Sequence, residues 1–147
     1  MSENNSKKYY EYRHLVTFDD TNSAGNVYFA QYFKWMGKCR ELILAEYYPE
    51  IISDMKKGFG FATEFAHIDF AKECFLYDNI LVRMTIADLT RTRVEFDFQF
   101  INEKDAGVVA TGKQAVIWVN AGHHPSLMPD KLYNLSKEHF GYQNKND

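Results

Sequence analysis

The sequence predicts an α+β fold in which one long, largely buried helix packs against a single, strongly curved antiparallel sheet. The first observation is a run of apolar residues at helical spacing from Val27 to about Tyr47. The second is a strict alternation of large apolar and polar residues from Arg93 to Ile101, which is typical of a strand with one buried face. The third is that short links join the later strands, which indicates antiparallel neighbours.

The chain opens with a strand and a turn. Tyr9 to Phe18 alternates loosely and predicts the first strand, after a polar segment, residues 1–8, that we expect to be a flexible tail. A turn is predicted from Ser23 to Asn26, and both of these residues are candidate caps for the helix that follows. The face of the strand that we expect to be buried carries Tyr10, Tyr12, His14 and Val16.

The long helix is predicted from Val27 to about Tyr47, and Pro49 ends it. An apolar face as broad as this one belongs to a helix that other structure largely surrounds. The segment from Glu50 to Lys57 predicts a short helical turn. The apolar stripe of the long helix comprises Tyr32, Met36, Cys39 and Ile43, widened by Phe29, Phe33, Leu42 and Leu44.

Four strands in antiparallel succession and a final helix complete the prediction. The helix runs from about Asp130 to His139. We therefore expect one domain over residues 9–140, with a second flexible tail at residues 141–147. The four strands span Gly60–Phe75, Asn79–Asp88, Arg93–Ile101 and Val108–Asn120, with a hairpin turn at Ala106 and Gly107.

Composition limits the classes of function. The chain has 147 residues and a net charge of −3 with both signs interspersed, so nothing resembles a nucleic-acid-binding surface. The first apolar run is too short for a signal peptide or a membrane span, so we expect a soluble, cytoplasmic protein. Cys39 and Cys74 make neither a disulfide framework nor a metal site and are expected to be reduced core residues. His123 and His124 have no third ligand at useful spacing, so neither a metal nor a cofactor is expected.

Two features of the turn bear on chemistry. The helix predicted after Gly25 leaves its first backbone N–H groups unpaired, and these groups favour negative charge such as that of an oxyanion. An ordinary capped helix start is the alternative, and these observations alone favour it. Asn22 is able to hydrogen-bond a carbonyl group or hold a water molecule, but it does not ionise near neutral pH. The turn therefore has an amide at a position where a carboxylate would be expected for hydrolytic chemistry.

Arg40 is a third feature of the same region. It follows Tyr32 and Met36 at four-residue intervals and so sits at the edge of the apolar stripe, where an unpaired charge is costly. We expect its partner to come from elsewhere in the fold, such as Glu64, or from a neighbouring subunit. A structural ion pair and a functional role are both open on these observations.

The segment from Asp20 to Trp35 resembles the signature of the hotdog-fold acyl thioesterases of the 4-hydroxybenzoyl-CoA thioesterase type, D-x-D-x-x-G-x-V-[FY]-[FY]-x-x-Y-x-x-W. The resemblance extends over nearly the whole chain and includes Leu127 to Asp130 before the final helix. Asn22 departs from the signature, because the parent family has its catalytic Asp at this position.

The departure itself resembles a subgroup, the thioesterases of enediyne polyketide biosynthesis. Tyr9 to His14, Gly25 to Tyr28 and Gly37 to Glu41 are also similar to that subgroup. The resemblance implies a hotdog fold, in which about five antiparallel strands wrap a central helix, and a dimer or tetramer with sites at subunit interfaces. It implies hydrolysis of a polyene β-ketoacyl thioester on an acyl carrier protein, giving an acid prone to decarboxylation to a methyl ketone.

The resemblance assigns the catalytic roles to Asn22 and Arg40, and it matches Tyr32 and Thr63 to further positions of the acyl pocket. Surplus aromatic residues are expected to line an acyl channel. Glu64 is a rival base in this interpretation. The backbone that we expect to hold the thioester oxygen is that of Asn26, Val27 and Tyr28.

Two alternatives are open at this point. One is a general acyl-CoA thioesterase, which a comparison of carrier-protein and CoA substrates separates from the first interpretation. The other is a non-catalytic module that binds acyl chains or carrier proteins and kept the fold after losing the acid. Tight acyl binding without turnover would establish the second alternative.

Overall fold

The computed structural model describes residues 8–143; residues 1–7 and 144–147, which hold most of the two predicted tails, lie outside the described residues. It confirms the α+β prediction, since a five-stranded antiparallel sheet accompanies one long helix and a C-terminal helix. The helices are α1 (Gln31–Tyr47), α2 (Ile51–Lys56) and α3 (Asp130–His139), and a short 3-10 helix spans Phe18–Asp20. The strands are β1 (Tyr10–Leu15), β2 (Gly60–Phe70), β3 (Asn79–Leu89), β4 (Arg93–Asn102) and β5 (Gly107–Val119).

The strands lie in the order β1-β3-β4-β5-β2. The predicted antiparallel succession holds for β3, β4 and β5, which pair through short links. It is wrong for β2, which pairs with β5 at one edge of the sheet, while β1 pairs with β3 at the other edge. Residues 71–78 therefore carry the chain across the sheet from β2 to β3.

The core lies between α1 and the inner face of the sheet. The four central residues of the predicted stripe are buried, and Trp35 joins them. Phe33, Leu42 and Leu44 at its margins are half-buried, and Phe29 is exposed because it precedes the helix. Gly112 of β5 lets the helix approach closely, because a Cβ atom there would lie 2.6 Å from Cε of Met36 and 3.2 Å from the carbonyl oxygen of His67. The alternation predicted for β4 is confirmed, since Val94, Phe96, Phe98 and Phe100 are all buried.

The start of α1 differs from the prediction. The helix begins at Gln31, four residues beyond the predicted start at Val27, because the intervening loop bonds to distant segments instead of forming a helical turn. Ala30 occupies the N-cap position without a side-chain hydrogen bond. The predicted caps Ser23 and Asn26 therefore do not cap this helix.

Strand β2 leaves much of its surface uncovered. Residues paired directly across antiparallel strands share a face. Thr63 pairs with Val116, which pairs with the buried Val94, so Thr63 lies on the inner, helix-facing side of the sheet. Ala66 reaches the same face through its pairing with Gln114. Because both Thr63 and Ala66 are exposed, α1 does not cover this part of the inner face.

The C-terminal helix is anchored at both ends. The guanidinium of Arg91 donates to the carbonyl oxygen of Met128 at 2.7 Å and to Asp130 at 2.9 Å, which fixes the start of α3. Beyond the helix, the hydroxyl of Tyr142 donates to Asp88 at 3.1 Å. Within residues 8–143, none of the helices is long and apolar enough to cross a membrane.

Candidate active site

A cleft of about 550 Å³ opens at the N-terminal end of α1, between the loop that precedes the helix and the segment that follows β2. Its lining combines side-chain amides, aromatic rings and one carboxylate. Five of the predicted site residues line it: Asn22, Asn26, Val27, Tyr28 and Tyr32. The remaining lining residues are Phe29, Phe70, Ala71, Lys72 and Glu73.

Asn22 stands at the start of the predicted turn. Its carbonyl oxygen accepts the N–H of Gly25 at 2.9 Å, and its own N–H donates to the carbonyl of Asn26 at 2.8 Å. Gly25 has a φ of 88°, in the left-handed region that favours glycine. The side-chain amide of Asn22 has no hydrogen-bond partner among the described residues, so it is available to a ligand or a water molecule.

The backbone donors at the cleft differ from those predicted. The N–H groups of Val27 and Tyr28 each donate at 2.9 Å to a main-chain carbonyl of a neighbouring segment. They are therefore occupied, and the prediction that these two groups hold the thioester oxygen conflicts with the structure. The N–H groups of Asn26 and Phe29 have no acceptor within residues 8–143. These two groups are backbone donors that the loop leaves for a developing oxyanion.

A buried hydrogen-bond network supports the loop. Nε2 of His14 lies 2.8 Å from Oδ2 of Asp20, and Nδ1 of His14 lies 2.6 Å from the hydroxyl of Tyr12. The same oxygen of Asp20 accepts the N–H of Thr17 at 3.0 Å. Asp20 is only 5% exposed, and its carbonyl oxygen accepts the N–H of Tyr28. The network therefore ties β1 to the turn that carries the free amide.

Tyr32 brings both a ring and a phenol to the cleft. Its ring meets those of Phe70 and Phe100 edge to face, with centroids 5.1 and 5.3 Å apart. Burial, followed by contact with the thiol of Cys74, raises the pKa of Tyr32 well above its usual range. The phenol therefore stays protonated at neutral pH and does not serve as a base.

Glu73 places a carboxylate in the cleft. Its Oε1 accepts the side-chain N–H of Asn26 at 2.8 Å. Glu73 and Tyr32 line the same cleft, and the charge of Glu73 is a minor cause of the raised pKa of Tyr32. No set of three or more His, Cys, Asp or Glu residues in the described part of the chain is arranged to hold a metal ion.

Arg40 lies in a second cavity, a groove of about 610 Å³ between α1, α2 and the start of β2. Its Nη1 is buried and has no hydrogen-bond partner among the described residues. Burial lowers the pKa of Arg40 below its usual value, although a guanidinium remains charged in proteins. The expected need for a partner therefore holds. The apolar lining of the groove consists mainly of Leu44, Pro49, Ile51, Ile52, Met55, Phe59 and Phe61.

Residues 16–135 match the family model described as the thioesterase-like superfamily. The chain belongs to this superfamily. A solved structure of the dynemicin thioesterase, studied for polyene binding, is 35% identical with a TM-score of 0.82, over 89% of this chain and 96% of that chain. A gentisyl-coenzyme A thioesterase is 25% identical with a TM-score of 0.74, over 83% of this chain and 98% of that chain.

A 1,4-dihydroxy-2-naphthoyl-CoA thioesterase from Synechocystis is 23% identical with a TM-score of 0.79, over 87% of this chain and 95% of that chain, and shows the fold alone. A comparison with curated protein sequences gives no significant match. The matches confirm the hotdog fold and the resemblance found between Asp20 and Trp35. This thioesterase is a thioester hydrolase.

The structure brings neither Thr63 nor Glu64 into the cleft of this thioesterase. Thr63 is exposed on the inner face of β2. Glu64 accepts a hydrogen bond from Nε of Arg93 at 2.7 Å, on the outer face of the sheet, opposite to the buried side of Val94. The expectation that Glu64 pairs with Arg40 is therefore wrong.

Three residues that shape the cleft were missed by sequence reasoning. For His14 the sequence predicted only a place on one face of the first strand, although its position two residues after Tyr12 on that face was a usable signal. Asp20, the first Asp of the signature, was read only as part of the motif. Glu73 had no local signal, since it reaches Asn26 from 47 residues away in sequence.

Proposed function

We propose that this thioesterase hydrolyses a long, conjugated β-ketoacyl thioester carried by an acyl carrier protein domain of a polyketide synthase. The product is a β-keto acid that is prone to decarboxylation to a methyl ketone. The observation that carries the proposal is the aromatic lining beside Asn22, because flat conjugated chains stack well on aromatic rings. The identity to a thioesterase studied for polyene binding supports the same substrate class. The rings in question are those of Tyr28, Phe29, Tyr32 and Phe70.

In this proposal, the thioester carbonyl lies at the polar end of the cleft. The free amide of Asn22 positions the attacking water molecule or the carbonyl oxygen. The unpaired N–H groups of Asn26 and Phe29 stabilise the negative charge that develops on that oxygen. The ring of Tyr32 lines the same cleft, while its phenol contacts the thiol of Cys74.

We propose that Arg40 completes this site from a second copy of the chain. Within one chain, Arg40 follows Tyr32 by eight residues, or about 12 Å along the helix axis, and it lines a different cavity from Asn22. Its buried Nη1 has no partner in the described part of its own chain. A guanidinium in this condition is suited to an anionic or carbonyl group that arrives with a ligand across an interface.

The exposed strand β2 supports a homodimer or larger homo-oligomer. It is an edge strand of 11 residues, and six consecutive residues, 62–67, are exposed. Long open edges favour pairing with another chain. In such an assembly the exposed Thr63 would border the acyl channel. The buried free thiols of Cys39 and Cys74 suit the reducing cytoplasm in which we propose that the enzyme acts.

Turnover of matched substrates tests the proposal. The same polyene β-ketoacyl group is presented on a carrier protein and on CoA, beside a short saturated acyl-CoA. We expect kcat/KM to be at least about tenfold higher for the polyene on the carrier protein than for the short acyl-CoA, a ratio that apolar contacts commonly give. Mass spectrometry of a loaded polyketide synthase should show the released acid or methyl ketone only when the enzyme is added.

A general acyl-CoA thioesterase is the second candidate. Lys72 lines the cleft and offers a cation to the phosphates of CoA. The 25% identity to a gentisyl-coenzyme A thioesterase favours the same function. Equal or faster turnover of simple acyl-CoA substrates would establish this function in place of the first.

A further inference from the structure

The cleft contains a carboxylate that its signature does not account for. Of the cleft-lining residues in the described part of the chain, Glu73 alone carries a carboxylate. The signature has an amide, Asn22, at the position where the parent family has its acid. The cleft therefore holds a carboxylate after all, contributed by the segment between β2 and β3.

The position of Glu73 is set by a specific contact. Its Oε1 accepts the side-chain N–H of Asn26 at 2.8 Å, and Asn26 belongs to the same turn as Asn22. The other oxygen, Oε2, has no hydrogen-bond partner among residues 8–143. One oxygen is thus held by the turn, while the second oxygen of this exposed side chain has no protein partner among the described residues.

Other groups at the cleft are poorly suited to remove a proton from water. The amide of Asn22 does not accept a proton near neutral pH. The phenol of Tyr32 and the thiol of Cys74 both have a raised pKa, with burial as the main cause, so both are protonated. Glu64 lies on the outer face of the sheet, where it is bound to Arg93.

We propose that Glu73 is the general base of this thioesterase. This proposal rests on the proposed function, since it takes the Asn22 cleft as the place where the thioester binds. The oxygen of a water molecule bonds to the thioester carbonyl carbon while one water proton moves to Oε2 of Glu73. The carbon–sulfur bond then breaks, and the departing thiolate takes the proton from Glu73. One water molecule is consumed, an acid and a thiol are released, and the carboxylate is restored.

Glu73→Gln is the decisive variant, because the glutamine oxygen still accepts the hydrogen bond from Asn26 but no longer serves as a base. We expect kcat/KM on a simple acyl-pantetheine thioester to fall by about 100-fold or more, the usual range for loss of a general base. The midpoint of thermal unfolding should stay unchanged. Glu138→Gln, which removes an exposed carboxylate on α3, is the matched control and should behave as the wild type.

The pH profile separates a base from a structural contact. Besides Glu73, the titratable groups that line the cleft are Lys72 on the same segment, Tyr28 in the loop and Tyr32 on α1, which contacts the thiol of Cys74. An acidic limb of the kcat/KM profile that is present in the wild type and absent from Glu73→Gln would therefore be assigned to the carboxylate by the variant itself. We expect Glu73→Gln to lack this limb.

Asn26→Asp gives an independent readout of the same group. A second carboxylate within hydrogen-bonding distance of Glu73 disfavours ionisation of the first, so the acidic limb should move to higher pH. Added formate should also restore part of the activity of Glu73→Ala, because formate replaces the missing carboxylate. A purely structural role for Glu73 predicts neither result.

The outcomes distinguish this proposal from the function on which it rests. Glu73→Gln that keeps more than about a third of the wild-type rate, or the wild-type acidic limb, overturns the role of Glu73 alone. A wild-type enzyme that cleaves the simple thioester but not the polyene on its carrier protein overturns the substrate assignment, and Glu73 is then judged on the simple thioester. A wild-type enzyme that cleaves no thioester overturns both.

Discussion

The Asn22 cleft and the Arg40 groove lie along the same helix but differ in how their polar groups are satisfied. Around the cleft, Asp20 accepts hydrogen bonds from neighbouring groups, and Asn26 is bound to Glu73. In the groove, whose lining is mainly apolar but includes Glu41, Nη1 of Arg40 is buried without a hydrogen-bond partner in the described part of the chain. These side chains around the cleft have partners within one chain, whereas Nη1 of Arg40 does not.

The difference indicates what each region requires from outside. A buried polar group without a partner costs roughly 1–3 kcal/mol, and more when it is charged. The buried carboxylate of Asp20 beside the cleft has partners within the chain, so this cost does not arise there. The free amide of Asn22 is exposed, so it is open to a ligand without destabilising the fold. Arg40 carries the cost permanently unless a substrate or a second copy of the chain relieves it. We therefore regard the cleft as the chemical centre and the groove as the part completed by assembly.

The largest effect that tests this comparison is expected from Asn22→Ala. The side-chain amide of Asn22 has no partner among the described residues, so its removal should leave the unfolding midpoint nearly unchanged. We expect kcat/KM to fall by about 100-fold on every thioester, as for loss of a donor that stabilises an oxyanion. Steady-state kinetics on short and long acyl substrates provides the measurement.

Asn134→Ala is the control, since Asn134 is exposed on α3 and far from the cleft in sequence. It should leave both rate and stability as in the wild type. Wild-type rates for Asn22→Ala on a good substrate would show that the cleft is not the chemical centre, and the contrast between the two regions would then lose its functional meaning.

The sequence was sufficient for the parts of the comparison that depend on local pattern. The stripe from Tyr32 to Ile43 predicted the buried face of α1. The position of Arg40 at the edge of this stripe predicted that its charge needs a partner. Both follow from helical spacing alone. The signature from Asp20 to Trp35 gave the fold and the enzyme class, because it extends over a turn and a helix start that few other folds share.

The remaining features depend on contacts between residues that are distant in sequence. Val27 reads as helical, but its N–H bonds to the carbonyl oxygen of Cys74, and the loop to which it belongs delays the helix to Gln31. The same segment near Cys74 brings Glu73 to the turn. No spacing rule links positions 26 and 73, and the pairing of β2 with β5 rather than β3 is equally non-local.

A smaller loss of activity, together with a gain in stability, is expected from Arg40→Met. Methionine fills similar space and removes the buried charge, so the free energy of unfolding should rise by about 1 kcal/mol. Activity should fall by about tenfold, because the charge no longer stabilises the reacting group. Chemical denaturation at fixed protein concentration and steady-state kinetics supply the two measurements.

Arg13→Met is the matched control for this variant. Arg13 is exposed and bound to Glu103, which raises the pKa of Arg13, and surface pairs of this kind contribute little. It should lower the free energy of unfolding slightly or leave it unchanged. Destabilisation by Arg40→Met comparable to that of a core deletion would mean that Arg40 is satisfied within its own chain, and the groove would then be as complete as the cleft.

The smallest expected effect is the recovery of activity on mixing two variants, and it tests specifically in which copy of the chain Arg40 acts. Asn22→Ala and Arg40→Ala, with expected losses of about 100-fold and about tenfold, are each dissociated, mixed in equal amounts and reassembled. If a site combines Asn22 of one copy with Arg40 of another, half of the reassembled dimers carry one intact site. The mixture should then regain about one quarter of the wild-type activity, as follows from random pairing in a two-fold dimer. If both residues act within one chain, every site in the mixture lacks one of them, and reassembly restores nothing.

Recovery also requires that the chains exchange, which mixing with a size-tagged copy establishes by gel filtration. Recovered activity would make the unpaired guanidinium a part of the partner's active site, whereas its absence after proven exchange would confine Arg40 to the groove of its own chain.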